Sequence, residues 1–406
     1  MDTKKRIIII ILFSILCLGL GYLLYWVFFA DKTPTTGPDK NITNTTSTIG
    51  KLPTAGEGTI PTGSDTTNVG LPTAGSLNIG QTTGREITSQ QVVKSPLIGV
   101  STDANGQVKF YDQIDGKFYR LNANGDLQPL SDEVFYNVQK VTWSKVKNES
   151  VLEYPDGSNI YYNFDTGKKA TLPKHWQDFS FAPTGDKIAA KSEGLDVENR
   201  WLVTADSDGK NIKLIEPMGD NASKVIVDWS PNKQIVALSA TGEALGDDRQ
   251  EILMVGLNKE NFPSITVEGR GLKSSWSPTG KKLIYSVYSA RNDYKPELWV
   301  VDAEGDNIGS NRRLLGANTW ADKCTFADER YAYCAVPIAL QTGAGFAPAL
   351  ADGTPDQIFK IDLESGVKIQ VSLNENHTIN SMYLSPDGTK LYFTDKNQAG
   401  LFNISL

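Results

Sequence analysis

The chain has 406 residues, with 40 Lys and Arg against 47 Asp and Glu, for a formal net charge of −7. That balance argues against a nucleic-acid binder, which needs a basic face to meet phosphates. With 3 Cys and 2 His there is little material for a metal cluster or a dense disulfide framework, and no cofactor is expected.

Residues 1–6 form a short basic stub ending in Lys4, Lys5 and Arg6, and residues 7–30 are an uncharged apolar run. At about 1.5 Å per helical residue the run spans the roughly 30 Å hydrocarbon core, so a transmembrane helix is expected. A cleaved signal peptide would stop sooner and end at a small-x-small site, but Phe28 stands where the small residue before Ala30 belongs. The basic stub puts the N-terminus in the cytoplasm and everything after residue 30 in the periplasm or at the cell surface. Tyr25 and Trp26 suit the headgroup interface, and Cys17 is read as lipid-facing.

Residues 31–85 change character, becoming rich in Thr, Gly, Pro, Asn and Ser with no apolar periodicity. Such a stretch buries too little surface to offset its ordering entropy, so a disordered linker with a reach of roughly 40 Å is expected. Its duplicated Leu-Pro-Thr-Ala-Gly, at 52–56 and 71–75, reads as low-complexity repetition.

The rest of the chain, residues 86–406, repeats. Its clearest copies are Trp276-Ser277-Pro278-Thr279-Gly280, Phe181-Ala182-Pro183-Thr184-Gly185 and Leu384-Ser385-Pro386-Asp387-Gly388; Trp229-Ser230-Pro231-Asn232 has lost its glycine. Each copy has an apolar strand end, a turn carrying Pro and Gly, then an alternating strand such as 283–286. A second strand pair follows, as at 298–302 and 313–315, so four strands recur per unit, the signature of propeller blades.

These motifs resemble the TolB-type propeller repeat, a WD-like β-propeller family with a Ser-Pro-Asp-Gly turn. Together with Cys324-Thr325-Phe326, Tyr333-Cys334-Ala335-Val336-Pro337, the apolar N-terminus and the linker, they look like a membrane-anchored bacterial branch of that family. The resemblance implies placement and brings no activity with it.

The last unit has strands near 381–384, 391–394 and 401–405 and no fourth, which would leave an open edge. Residues 86–91 read as the missing strand, giving an all-β, seven-bladed propeller, with six or eight blades as the alternatives. Cys324 and Cys334 flank a short hairpin turn and count as directly opposed, within disulfide range. Outside the cytoplasm they are expected to pair, the alternative being two buried thiols.

No Gly-x-Ser-x-Gly elbow, Walker loop or His-Glu-x-x-His occurs, so no catalytic residue is assigned. His175 and His377 read as loop residues rather than ligands or bases, and no metal site is expected. The long second-to-third-strand connections point to binding, above all residues 336–356, which hold Phe346 and Leu350 among small residues. Beside them Asp247, Arg249, Arg291, Asp293 and Tyr294 offer a mixed polar rim. The expected role is an anchored scaffold that binds another envelope or secreted protein through this face. A propeller hydrolase or lyase on an envelope polymer would instead show two convergent carboxylates at the central channel, and a glycan-binding lectin repeated aromatic platforms.

Overall fold

The Ser-Pro-x-Gly repeat is a device for turning one strand into the next. In the copy at 276–280 the Ser277 carbonyl accepts the Gly280 N–H, and the Ser277 hydroxyl accepts the Lys282 N–H, each at 2.9 Å. Ser385 makes the same two contacts with Gly388 and Lys390. Gly280 and Gly388 hold φ at 77° and 68°, a left-handed geometry that side chains resist. In the copy without glycine, Lys233 takes that position at φ 68° and still donates to the Ser230 carbonyl at 2.9 Å. The turn is kept there against a backbone penalty of about 1 kcal/mol.

The computed structural model describes residues 18–20, 79–80, 86–122 and 124–406. Residues 18–20 are helical; the rest of the expected membrane segment, and the linker apart from Ile79–Gly80, lie outside the described residues. Among the described residues no helix is long and apolar enough to cross a membrane.

Each Ser-Pro-x-Gly turn joins the first strand of a four-stranded antiparallel meander to its second. Seven meanders follow in chain order, at 97–129, 140–172, 176–217, 225–267, 270–314, 324–371 and 379–405. First strands of neighbouring blades approach one another, as in blades 1 and 2, 2 and 3, 3 and 4, and 6 and 7, so they face the axis. The seventh meander supplies only Ile379–Leu384, Lys390–Asp395 and Leu401–Ser405; its fourth strand is Gln90–Val93, antiparallel to the last. The all-β propeller therefore has seven blades.

The closing strand begins later than the 86–91 expected from sequence. Its register pairs Gln90 with Asn403, Gln91 with Phe402 and Val93 with Leu401. The reason lies in the seam: Val93 is 5% exposed and packs with Leu401, Tyr392, Val108 and Phe110 between blades 7 and 1. Ile87 belongs to blade 6, where its N–H donates to the Ser372 carbonyl at 2.9 Å and its side chain packs into the seam with blade 7. Farther upstream Ile79–Gly80 runs parallel to Lys368–Val371 as a fifth strand. The segment thus fastens two blades where one was foreseen.

The core lies in the seams between blades, each with its own apolar cluster. Ile235, Leu238 and Ile252 of blade 4 meet Trp276, Leu283 and Tyr285 of blade 5, and Phe118 meets Phe135 and Trp143 edge-on at 5.2 and 5.5 Å. A strand buried on both faces cannot alternate apolar with polar, which explains runs such as Val108–Asp112. Lys109 survives in that run because its ammonium donates to the Ser144 carbonyl at 2.8 Å and sits 4.5 Å over the Trp143 ring. Burial pulls its pKa down to about 8. In blade 6, Cys324 and Cys334 stand opposite each other and are joined as a disulfide, their α carbons 4.1 Å apart.

Shortening the chain to begin at residue 94 rather than 86 removes the closing strand and leaves the edge of Leu401–Ser405 open. The shorter form is expected to lose roughly 2–4 kcal/mol and to aggregate. Thermal melts with size-exclusion chromatography check this, and equal melting of the two forms would refute the closing role.

Candidate functional site

The turns between first and second strands share one face with those between third and fourth, so the second-to-third and interblade connections share the other. That second face carries the long segments at 194–199, 240–249, 289–295 and 338–355. The last departs from Tyr331–Pro337 and returns to Asp356–Asp362, with Ile338 donating to the Pro355 carbonyl at 2.9 Å across its base.

Loop 338–355 is fixed at several points. Toward blade 5, the N–H groups of Gly343 and Gly345 donate to the carbonyls of Asp293 and Tyr294 at 2.8 and 2.7 Å. Asp293 and Tyr294 both hold left-handed backbone, φ 52° and 53°, a strained pair that aims both carbonyls at the loop. Gly345 is required by space: a β carbon there would lie 2.4 Å from the Tyr288 β carbon. Phe346 meets the rings of Tyr288 and Tyr294 edge-on at 5.9 and 5.8 Å. Toward blade 7, the Asp352 carboxylate pairs with the Lys396 ammonium, and the Asp352 carbonyl accepts the Asn397 amide at 2.9 Å. Beneath, Ala344 and Ala351 are buried against Trp320. Above these contacts the loop presents Ile338 (58% exposed), Phe346 (59%) and Leu350 (42%), next to Tyr294 (42%).

Beside this apolar surface three guanidinium groups gather on one carboxylate. Glu268 pairs with Arg312 at 2.7 Å, Arg249 at 3.4 Å and Arg291 at 4.0 Å, while Arg291 also reaches Glu297 at 3.3 Å. Arg270 donates to the carbonyls of Arg249 and Gly246, both at 2.6 Å. Of the residues singled out in sequence, Tyr294 meets Phe346 ring to ring, Asp293 and Tyr294 accept hydrogen bonds from the loop that carries Phe346 and Leu350, and Arg249 and Arg291 meet at Glu268. Asp247 is exposed on the same connection as Arg249. Sequence reading missed Glu268, Tyr288 and Trp320, which stand at strand ends and in interblade connections. The available signal was the Gly343-Ala344-Gly345 triplet, glycines placed for a close backbone approach.

The channel mouth on this face holds a second polar group. Lys140 of the first strand of blade 2 lies 3.4 Å from both Glu153 and Asp178, and Lys191 lies 2.8 Å from Asp178. Asp178 sits on a bulge of its strand with φ 51°. Burial pushes the Glu153 carboxyl up against the pull of Lys140. For Asp178 burial acts in the same upward direction and is the largest single influence, but Lys191 and Lys140 together hold the carboxyl below its usual range. Among the described residues no three His, Cys, Asp or Glu side chains group to hold a metal ion. His175 is exposed, whereas His377 is buried in the connection between blades 6 and 7.

No family model and no curated sequence matches the chain. Among solved structures it is similar to the Cps50 (Swd1) β-propeller domain of Myceliophteria thermophila, with 11% identity and a TM-score of 0.53 over 78% of this chain and 98% of that one. It is also similar to an oligogalacturonate lyase in complex with manganese, with 11% identity and a TM-score of 0.50 over 82% and 96%. The tricorn protease aligns at 11% identity and a TM-score of 0.48, over 80% of this chain and 35% of that one. At these identities the likeness is one of fold.

Asp228, just after the first strand of blade 4, has its carboxyl raised from 3.8 to about 6 by burial, with Lys145 pulling the other way. A folded carboxyl raised in this way favours folding while protonated, so stability falls as pH rises from 4 through 6. Asp228→Asn is expected to gain up to about 3 kcal/mol well above pH 6 and nothing below pH 4. Urea unfolding at pH 4 and pH 7.5 tests it, and an equal effect at both would refute the assignment.

Proposed function

We propose that this chain is a membrane-anchored, extracytoplasmic propeller of the TolB type that binds another envelope or secreted protein through its long-loop face. The observation that carries the reading is loop 338–355, pinned to blades 5 and 7 while Ile338, Phe346 and Leu350 face outward. Apolar side chains left exposed on a fixed backbone lose little entropy when covered, which makes a surface ready to bind. The mixed polar rim around Glu268 suits a protein partner, whose own edge charges would be matched there. The apolar run at 7–30 and the Cys324–Cys334 disulfide support placement outside the cytoplasm.

Cross-linking on intact cells with a membrane-impermeant reagent, followed by pull-down, tests partner and placement together. The intact protein is expected to capture one defined partner. Phe346→Ala with Leu350→Ala, or Gly345→Val, is expected to reduce capture about tenfold or more while the blades still melt as before. Unchanged capture by both variants would overturn the binding face, and absence of any cross-link would overturn the placement.

A second reading, a hydrolase or lyase on an envelope polymer, is favoured by Glu153 and Asp178, two carboxylates sharing Lys140 whose pKa values are pushed apart. In it Glu153 is the proton donor. If purified protein turns over an envelope polysaccharide, Glu153→Gln should lower the rate at least about a hundredfold. An undiminished rate would remove this pair from the chemistry.

A further inference from the structure

A third group of reactive side chains lies where the closing segment crosses from blade 6 to blade 7, next to the base of loop 338–355, whose Thr354 carbonyl accepts the Thr378 hydroxyl at 3.3 Å. His377 is 3% exposed, its ring set against Phe393 and Phe402 with centroids 4.9 and 5.1 Å apart. Its Nδ1 is 3.0 Å from Oδ2 of Asp395, and its Nε2 is 3.0 Å from Oγ of Ser89. The Asp395 side chain is 1% exposed and positioned by backbone donors: Thr378 N–H to Oδ2 at 3.0 Å, and Asn397 and Gln398 N–H to Oδ1 at 2.7 and 3.0 Å. The backbone on either side of the ring is clamped too. Asp356 N–H donates to the His377 carbonyl and Lys396 N–H to the Thr378 carbonyl, each at 2.8 Å. Hydroxyl, imidazole and carboxylate thus stand in hydrogen-bonded series, with the base buried and the hydroxyl partly open to solvent.

We propose that Ser89 is an activated nucleophile that accepts acyl groups from esters, with His377 as its base and Asp395 orienting the imidazole. Such a series is what raises a serine hydroxyl above its ordinary reactivity. In the step, Ser89 Oγ forms a bond to the ester carbonyl carbon and passes its proton to His377 Nε2. The carbon–oxygen bond to the alcohol breaks, and the alcohol leaves with that proton. Water then attacks the acyl-serine by the same route in reverse, releasing a carboxylic acid and restoring the hydroxyl.

Glu375 controls access. Its carboxylate, 47% exposed, accepts a hydrogen bond from the Ser89 hydroxyl and lies 3.6 Å from His377 Nε2. While that contact lasts, the serine proton points away from the base. Displacing it frees the hydroxyl for His377. The group sits at the rim of the ring, so its substrate class is a small O-acyl ester carried on a larger molecule, whose acyl group alone reaches Ser89.

The test is labelling of the full-length protein with an alkyl fluorophosphonate, which requires nucleophile and base and reports by mass. Ser89 Oγ displaces fluoride from phosphorus and its proton leaves through His377, so the adduct is located by peptide mass spectrometry. The folded protein is expected to carry one adduct, on Ser89, and the urea-unfolded protein none. His377→Gln is expected to slow labelling at least about a hundredfold, and Glu375→Ala to speed it. Absence of an adduct on the folded protein, equal labelling when unfolded, or labelling indifferent to His377→Gln would each overturn the proposal. If Ser89→Ala lowers the melting temperature and the unsubstituted protein takes no label, these residues are only a fastening for the closing segment.

Discussion

A ring of separate sheets is bound by one condition: every blade must have a neighbour on both sides and its full set of four strands. Here that condition rests on the pairing of Gln90–Val93 with the last strand of the chain. The core is divided among the seams, so the loss of one seam cannot be absorbed by a common interior. Val93 fills the seam between blades 7 and 1, and Ile87 the seam between blades 6 and 7. One short segment therefore supports two of the joints on which all the others depend. Closure also explains why the segment carries more than β pairing, with Asn374 donating to Thr88 and Gln91 donating to the Ala399 carbonyl.

A ring closed in this way can carry local strain on its faces. Tyr294 and Asp293 hold left-handed backbone to receive loop 338–355, and Asp178 does the same on a first strand beside Lys140 and Lys191. Each such residue costs of order 1 kcal/mol or more and persists because its surroundings over-determine it. Both places lie on the long-loop face. The Ser-Pro-x-Gly turns, by contrast, place their left-handed backbone on glycine, with Lys233 the exception.

What could be read from the sequence follows from how local each cause is. The serine, proline and glycine of the repeat act on neighbours within five residues, so the turns, the four-strand units and the count of seven were legible. The opposition of Cys324 and Cys334 was legible for the same reason, since a short hairpin fixes its own register. The closing strand was foreseen but placed at 86–91. Ile87 and Val93 are both apolar, and only the seams decide which blade each one serves. The grouping of Ser89 with His377, separated by 288 positions, had no local trace, and neither did Glu268 with Arg312. His377 lies in a loop as read, but its burial comes from Phe393 and Phe402 on other strands and left no local trace.

The order in which the ribosome makes these parts adds a further consequence of the closing strand. Residues 90–93 are synthesised before any blade, yet their partner strand, 401–405, is made only after all the other blade strands. During most of synthesis the closing segment is an unpaired strand held in waiting, while each blade can fold as soon as its four strands have emerged. Contacts of such long sequence separation form late and slowly. The nascent chain is thus an open arc with two free edges, the state most exposed to wrong pairing between molecules. A holding factor, or delivery of the nascent chain out of the crowded cytoplasm, would act on that arc rather than on the finished ring.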